Sequence, residues 1–254
     1  MLINGAAVPS RAMETHIFGK EYWRRGNLKF IQSRPGLWDG SGRGRKLKVA
    51  YREMLGGSGH EMFDLLDKAK ALPNSLHFEG VDNNPEVLMR HALAIPQRSF
   101  KIIHGDFFAS TLRRLDQQIP RLGIVNADTE NAIKEEWWQK HGEHLRNIVQ
   151  TGSETPDFTL ILNFVLGHGG GDDATVPRQI KWYTNGISQA FRGWGGLKDL
   201  LNGTDRIITE MPPKGGGLKA GIFDVYQSEG KVVRMMTVRM SFNKRENKVT
   251  FDRA

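Results

Sequence analysis

Four short stretches of this sequence end in side chains that can do chemistry. EMLGGSG (53–59) sets a carboxylate, Glu53, ahead of Gly56, Gly57 and Gly59. A turn of that kind lets the backbone approach a ligand, and a helix starting behind it offers unpaired N–H groups. EGVDNN (79–84) carries Asp82 and Asn83, and an acid about twenty residues past such glycines can accept from both hydroxyls of a ribose. IIHGDFF (102–108) sets Asp106, an acceptor for an exocyclic amine, beside Phe107 and Phe108, flat apolar surface for a ring. IVNAD (124–128) ends in Asp128, which suits either a general base or the cap of a helix starting near Thr129. Together they point to an adenosine-containing ligand.

These residues act together only if the elements carrying them end side by side. LKVAYREML (47–55) reads as a strand and 60–72 as a helix with Met62, Leu65, Leu66 and Ala69 as its apolar stripe. SLHFEGVD (75–82), SFKIIHGD (99–106) and RLGIVNAD (121–128) read as three more strands, and Pro85 can open a helix between the first two. DFTLILNFVL (157–166) is a continuous apolar run of the kind found in buried central strands. Strand and helix alternating at short intervals predict a parallel sheet covered on both faces, which binds ligands beyond the carboxyl ends of its strands. Every candidate residue falls at such an end. Residues 177–201 read as one long helical segment, and DRIITEM, KAGIFDVYQ and KVVRMMTVRMSF as three strands in antiparallel hairpins. The expectation is an α/β, doubly wound, mostly parallel sheet of the seven-stranded type with antiparallel C-terminal strands. A basic N-terminal extension (1–46) precedes the domain proper (47–254).

Charge is unevenly placed. Residues 1–52 hold eleven Lys or Arg against three acids, a net +8, and the rest of the chain holds 25 of each sign. The excess is interleaved with Tyr22, Trp23, Phe30 and Trp38. Cations displace counterions from phosphates and aromatics stack on bases, so Trp23, Arg24, Arg25 and Trp38 are candidate substrate-binding residues toward nucleic acid. The competing reading is a solvated arm. The chain has no cysteine, which excludes disulfides, thiol catalysis and thiolate metal sites. No apolar run approaches the roughly 20 residues of a membrane-spanning helix, and the first residues lack the apolar segment of a secretory signal, so a cytoplasmic location without a membrane partner is expected. His141 and His144, three apart in a helical stretch, read as solvent-facing, and of Trp137 and Trp138 one reads as core and the other as exposed.

A dinucleotide fingerprint aligned on Gly57 and Gly59 would need a third glycine where Met62 stands, and no phosphate loop ending in Lys-Ser or Lys-Thr occurs. The sequence instead resembles the class I S-adenosylmethionine-dependent methyltransferases, whose first motif runs acid-x-Gly-x-Gly-x-Gly. Here Glu53, Gly57 and Gly59 match and Leu55 replaces the first glycine. GVDNNPEVL looks like the second motif, IIHGDFF like the adenine-contacting third, and RLGIVNADTE like the fourth strand of catechol-type O-methyltransferases. The resemblance implies S-adenosylmethionine as cofactor, with Glu53 near the methionine amine. Gly56, Gly57 and Gly59 would border methionine and ribose, Asp82 and Asn83 would lie at the ribose, and Asp106 and Phe107 at adenine. Asp128 would act on the acceptor. The Asp-Asn metal pair of the catechol type is replaced by Asn163-Phe164, so no metal is expected. The acceptor is an O or N atom, with nucleic acid weakly favoured. A small-molecule acceptor is the alternative, and so is a nucleic-acid-binding protein with a degenerate cofactor site.

Overall fold

The structure, a computed structural model, describes residues 2–3, 6–7, 26–38, 49–55, 76–94, 100–117, 120–129, 135–166, 175–209, 218–220, 223–227 and 234–252. Five parallel strands form its centre: β3 (Val49–Met54), β4 (Leu76–Asp82), β5 (Phe100–His104), β6 (Arg121–Thr129) and β7 (Phe158–Leu166). Short β1 (Leu2–Ile3) and β2 (Ala6–Ala7) pair with each other. At the C-terminus β8 (Leu218–Ala220), β9 (Phe223–Gln227), β10 (Arg234–Asn243) and β11 (Lys248–Phe251) pair antiparallel, and β10 docks antiparallel on β7. The sheet order is β5-β4-β3-β6-β7-β10-β9-β8, with β11 also on β10. This is the expected doubly wound, mostly parallel sheet with antiparallel C-terminal strands. The order reverses between β3 and β6, the position beyond whose strand ends open sheets of this kind bind ligands.

All nine residues of β7 are buried, which is why its sequence is apolar on both faces. One face packs Ala50, Val125, Leu160, Leu162, Phe164 and Met236 against four helices. These are α4 (Phe107–Leu115), α5 (Glu135–Gly152), α6 (Thr175–Ala190) and α7 (Leu197–Thr209), numbered after three helices of the other face. That other face packs Val49, Tyr51, Phe78, Ile124 and Ile161 against Ile31 and Leu37, from a helix at 26–32 (α1) and a helical turn, α2 (Pro35–Trp38). Val87 and Leu88 of α3 (Pro85–Ala94) join the same cluster.

Several elements differ from the sequence reading. The segment 177–201 is two helices, separated by a turn in which Gly193 (φ 103°) and Gly196 (φ 93°) adopt backbone conformations that side chains disfavour. DRIITEM was expected as a strand, but its residues through Thr209 complete α7, because Leu200, Thr204 and Ile207 fall on one buried helical face. KAGIFDVYQ was expected as one strand but forms parts of two, β8 and β9, paired antiparallel, and strand β11 was not anticipated. Residues 26–38 of the basic extension are packed structure: Phe30, Ile31 and Leu37 are buried. Asn27 accepts from Arg239 and the Gly36 N–H donates to Asp157.

Candidate functional site

Glu53, Asp82, Asp106 and Asp128 stand at or just beyond the carboxyl ends of β3, β4, β5 and β6, four neighbouring strands. A bulge brings Asp128 to the face that carries Glu53. Ala50 pairs with Leu122 and Tyr51 with Ile124, so Gly123 has no partner on β3 and the alternation of β6 resets there. Before the bulge Leu122 packs with the four-helix face, and after it Ile124 packs with Tyr51. Asn126 and Asp128 follow Ile124 at the strand period and share its face. A Cβ on residue 123 would overlap the side chains of Val49 and Leu37, so glycine also admits the close approach of α2.

Toward the strand starts this face is apolar, and toward the ends it becomes polar while staying buried. Asn126 donates from Nδ2 to the Tyr51 hydroxyl (2.9 Å) and to Glu53 Oε1 (3.3 Å). Asn163 donates to Asn126 Oδ1 (3.1 Å), and the Thr237 hydroxyl donates to Asn163 Oδ1 (2.7 Å). Glu53 is only 4% exposed and Asp128 only 2%. Burial drives the Tyr51 phenol well above its ordinary range, and the charges of Glu53 and Asp128 add to that rise. Tyr51 is therefore a neutral donor, and it also hydrogen-bonds Glu53.

Asp82 Oδ1 accepts from the Asn84 N–H (2.7 Å), and Asn84 Oδ1 accepts from Glu86 N (3.0 Å), so two successive side-chain turns start α3. Asn83 is exposed, and its carbonyl lies 3.2 Å from His104 Nε2. Asp106 is the N-cap of α4, accepting from Ala109 N (2.8 Å) through Oδ1. Gly105, at φ 147°, donates to the Asp82 carbonyl (2.9 Å) and ties the ends of β4 and β5 together. Phe107 is core, 5% exposed and edge-on to Phe108. Leu55, in place of the first motif glycine, is also core: it packs with Tyr51 and Phe78 while its N–H donates to Val81 O (2.9 Å).

Gly56, Gly57, Gly59, Trp23, Arg24 and Arg25 lie outside the described residues, as does the side chain of Trp38 at the end of α2. The sequence reading missed the Asn126–Asn163–Thr237 connection and an aromatic cluster beside Asp106. In that cluster Phe108 lies 4.6 Å from His141 and 5.6 Å from Trp137, ring centre to ring centre. His141 is buried, not solvent-facing. Burial first, then the charge of Lys140, pushes its pKa down to about 4, with Asp106 opposing, so the ring is neutral at pH 7. Trp137 and Trp138 both pack on the core, with Trp138 against Phe164 and residue 186, where a Cβ would overlap its ring. Among the described residues no three His, Asp or Glu side chains converge on a metal position. No described helix is long and apolar enough to cross a membrane.

No protein-family model and no curated protein sequence matches the chain. Similar solved structures include TrmN from Thermus thermophilus, with TM-score 0.40 and 14% identity over 90% of this chain and 52% of that one. LepI in complex with SAM gives 0.38 and 17% over 81% and 45%. A probable spermidine synthase from Corynebacterium glutamicum gives 0.43 and 12% over 77% and 57%. The chain spans about half the length of the first two.

Proposed function

We propose that this chain transfers a methyl group from S-adenosylmethionine to an O or N atom of a small-molecule acceptor at the carboxyl edge of its sheet. The observation that carries the reading is the row of carboxylates on four adjacent strand ends: Glu53, Asp82, Asp106 and Asp128. That set of acceptors fits a ligand with an ammonium, two hydroxyls and an aromatic amine. When bound, the cofactor supplies a sulfonium methyl, which bonds to the acceptor as its carbon–sulfur bond breaks to leave S-adenosylhomocysteine. Glu53 receives the amine, Asp82 and Asn83 the ribose, and Asp106 the adenine amine through the oxygen its cap leaves over. Gly56, Gly57 and Gly59 border the ligand. Phe107 supports this region from the core. Asp128 takes the acceptor's proton or orients the nucleophile by accepting from it.

An acidic rim favours a cationic cofactor and disfavours a polyanion placed directly on it. One basic cleft among the described residues, a cavity of ≈ 340 Å³ whose lining includes Arg146, Arg192, Trp194 and Lys244, is built from the end of α5 and the turns after α6 and β10. Those segments lie at the other end of the sheet, where β7 begins. This favours a small molecule over nucleic acid. In the nucleic-acid reading Trp23 and Trp38 would stack on bases while Arg24 and Arg25 neutralise phosphates.

The test is calorimetric titration with S-adenosylmethionine, then incubation with methyl-labelled cofactor and, separately, a small-molecule extract, RNA and DNA. Binding with label in the small-molecule fraction is expected. Label in RNA or DNA would restore the nucleic-acid acceptor, and failure to bind S-adenosylmethionine would overturn the methyltransferase reading.

A further inference from the structure

The buried polar chain across β10, β7, β6 and β3 has a direction. The Thr237 hydroxyl donates to Asn163 Oδ1, leaving Asn163 Nδ2 to donate to Asn126 Oδ1, and Asn126 Nδ2 to donate to Tyr51 and Glu53. Strand register sets the spacing, since Thr237 faces Asn163 across one pairing and Asn126 faces Glu53 across another. An amide has one accepting and one donating end. Turning Asn163 round therefore forces Asn126 to turn too, which points Asn126 Oδ1 at Glu53. An ionised carboxylate rejects that arrangement and a protonated one accepts it. Asn126, Asn163 and Thr237 are all 0% exposed, so solvent does not fill in for a lost partner. The direction of the chain and the charge on Glu53 are thus one variable.

We infer that Asn126, Asn163 and Thr237 are positioning residues, a relay of aligned dipoles that holds Glu53 as an oriented, ionised carboxylate ready for an ammonium group. The inference rests on the reading in which Glu53 receives the amine of S-adenosylmethionine. Thr237 acts from three strands away and need not touch the ligand. Tyr51 on β3 and Asp128 on β6 are titratable neighbours of the cluster and are unchanged in every variant below.

The experiment follows the ionisation of Glu53 directly. Full-length protein labelled with ¹³C at Glu side-chain carboxyls is titrated by NMR, and the Glu53 signal is assigned by its loss in Glu53→Gln. Thr237→Val keeps the shape and removes the donor, while Thr237→Ser keeps the donor. Asn163→Asp, while its carboxyl is ionised, offers Asn126 an acceptor only and so reverses it, and its charge adds like-charge repulsion to the rise at Glu53, so the charge-neutral Thr237→Val is the arm that isolates the dipole. The Glu53 midpoint should rise by about one pH unit in Thr237→Val and Asn163→Asp and stay at the wild-type value in Thr237→Ser. S-adenosylmethionine affinity by calorimetry should fall roughly tenfold in the first two variants and stay within about twofold in the third. An unchanged Glu53 midpoint in folded Thr237→Val and Asn163→Asp, with only the melting temperature lowered, would overturn the relay. Should the wild type fail to bind S-adenosylmethionine while the midpoints shift as described, the relay stands and the cofactor assignment falls.

Discussion

Arg52 and Glu53 are neighbours on β3, and their side chains enter two different buried polar networks on opposite faces of the sheet. Arg52 meets one built of ions. Its guanidinium donates to Glu79 Oε2 (3.1 Å) and Ser110 (2.9 Å), while Arg114 takes Glu79 Oε1 (2.7 Å) and the carbonyls of Gln117 and Pro120. Both oxygens of Glu79 are occupied, and the ions tie β3, β4 and α4 together. Burial lowers the Arg52 pKa to about 10, Glu79 opposing, so it remains a cation at neutral pH. Glu53 meets a network of amides and hydroxyls that converge on its carboxylate at the rim of the sheet. The first network spends its charges on cohesion. The second aligns dipoles so that a charge is kept at the strand end.

If that division is right, the two faces fail differently when broken. The largest effect belongs to Asp128, on the face of Glu53. Asp128→Asn should lower turnover about 10²–10⁴-fold as a lost general base, or less if it only orients the acceptor, with cofactor affinity almost unchanged. Single-turnover rates beside calorimetry check this, and full activity would remove Asp128 from the chemistry. On the other face, Glu79→Gln leaves two buried guanidiniums without their counter-charge. It should cost about 3–5 kcal/mol of stability in urea unfolding. Under conditions where the variant remains folded, its affinity for S-adenosylmethionine should match the wild type. A large affinity loss there would erase the distinction between the faces.

The sequence showed the strands better than what connects them. β7 was legible because burial on both faces demands a continuous apolar run, and β3, β4 and β6 because chemistry-bearing residues punctuate their ends. In α7, the β-branched stretch Ile207–Thr209 gave a local strand signal that the packing of Leu200, Thr204 and Ile207 overrode. The row of strand-end acids was readable, but the shared face of Glu53 and Asp128 was not, because it depends on a bulge at Gly123. A glycine inside an apolar strand was the available clue. The relay was hidden for a similar reason. Asn126 and Asn163 each interrupt a buried run, which requires partners but does not say that they partner one another.

A smaller effect tests whether the aromatic cluster of the four-helix face belongs with cohesion. The fold lowers the His141 pKa from 6.5 to about 4, so it binds the neutral ring better than the unfolded chain does. That contribution is complete above about pH 6.5 and is lost as pH falls toward 4, with a slope of at most about 1.4 kcal/mol per pH unit. In His141→Leu, urea midpoints measured from pH 7 to 4.5 should fall less steeply than in the wild type. Equal slopes would mean that the ring is not held neutral by its burial among Phe108 and Trp137.

The smallest effect separates cohesion from ligand binding within one side chain. Asp106 caps α4 through Oδ1, and the proposed adenine contact uses its other oxygen. Asp106→Ala removes both roles and should cost about 1 kcal/mol of stability, as N-cap losses do, together with cofactor affinity. Asp106→Asn is the sharper variant. Asn caps as well as Asp, so stability should hold, but its Nδ2 replaces the second oxygen and sets a donor against the donor of adenine. Thermal unfolding should then be unchanged while S-adenosylmethionine binds more weakly, by roughly 1 kcal/mol or a little more. Unchanged affinity in Asp106→Asn, with the expected stability loss in Asp106→Ala, would leave Asp106 as a cap alone. The row of ligand-binding carboxylates would then shrink to Glu53 and Asp82, with Asp128 acting on the acceptor.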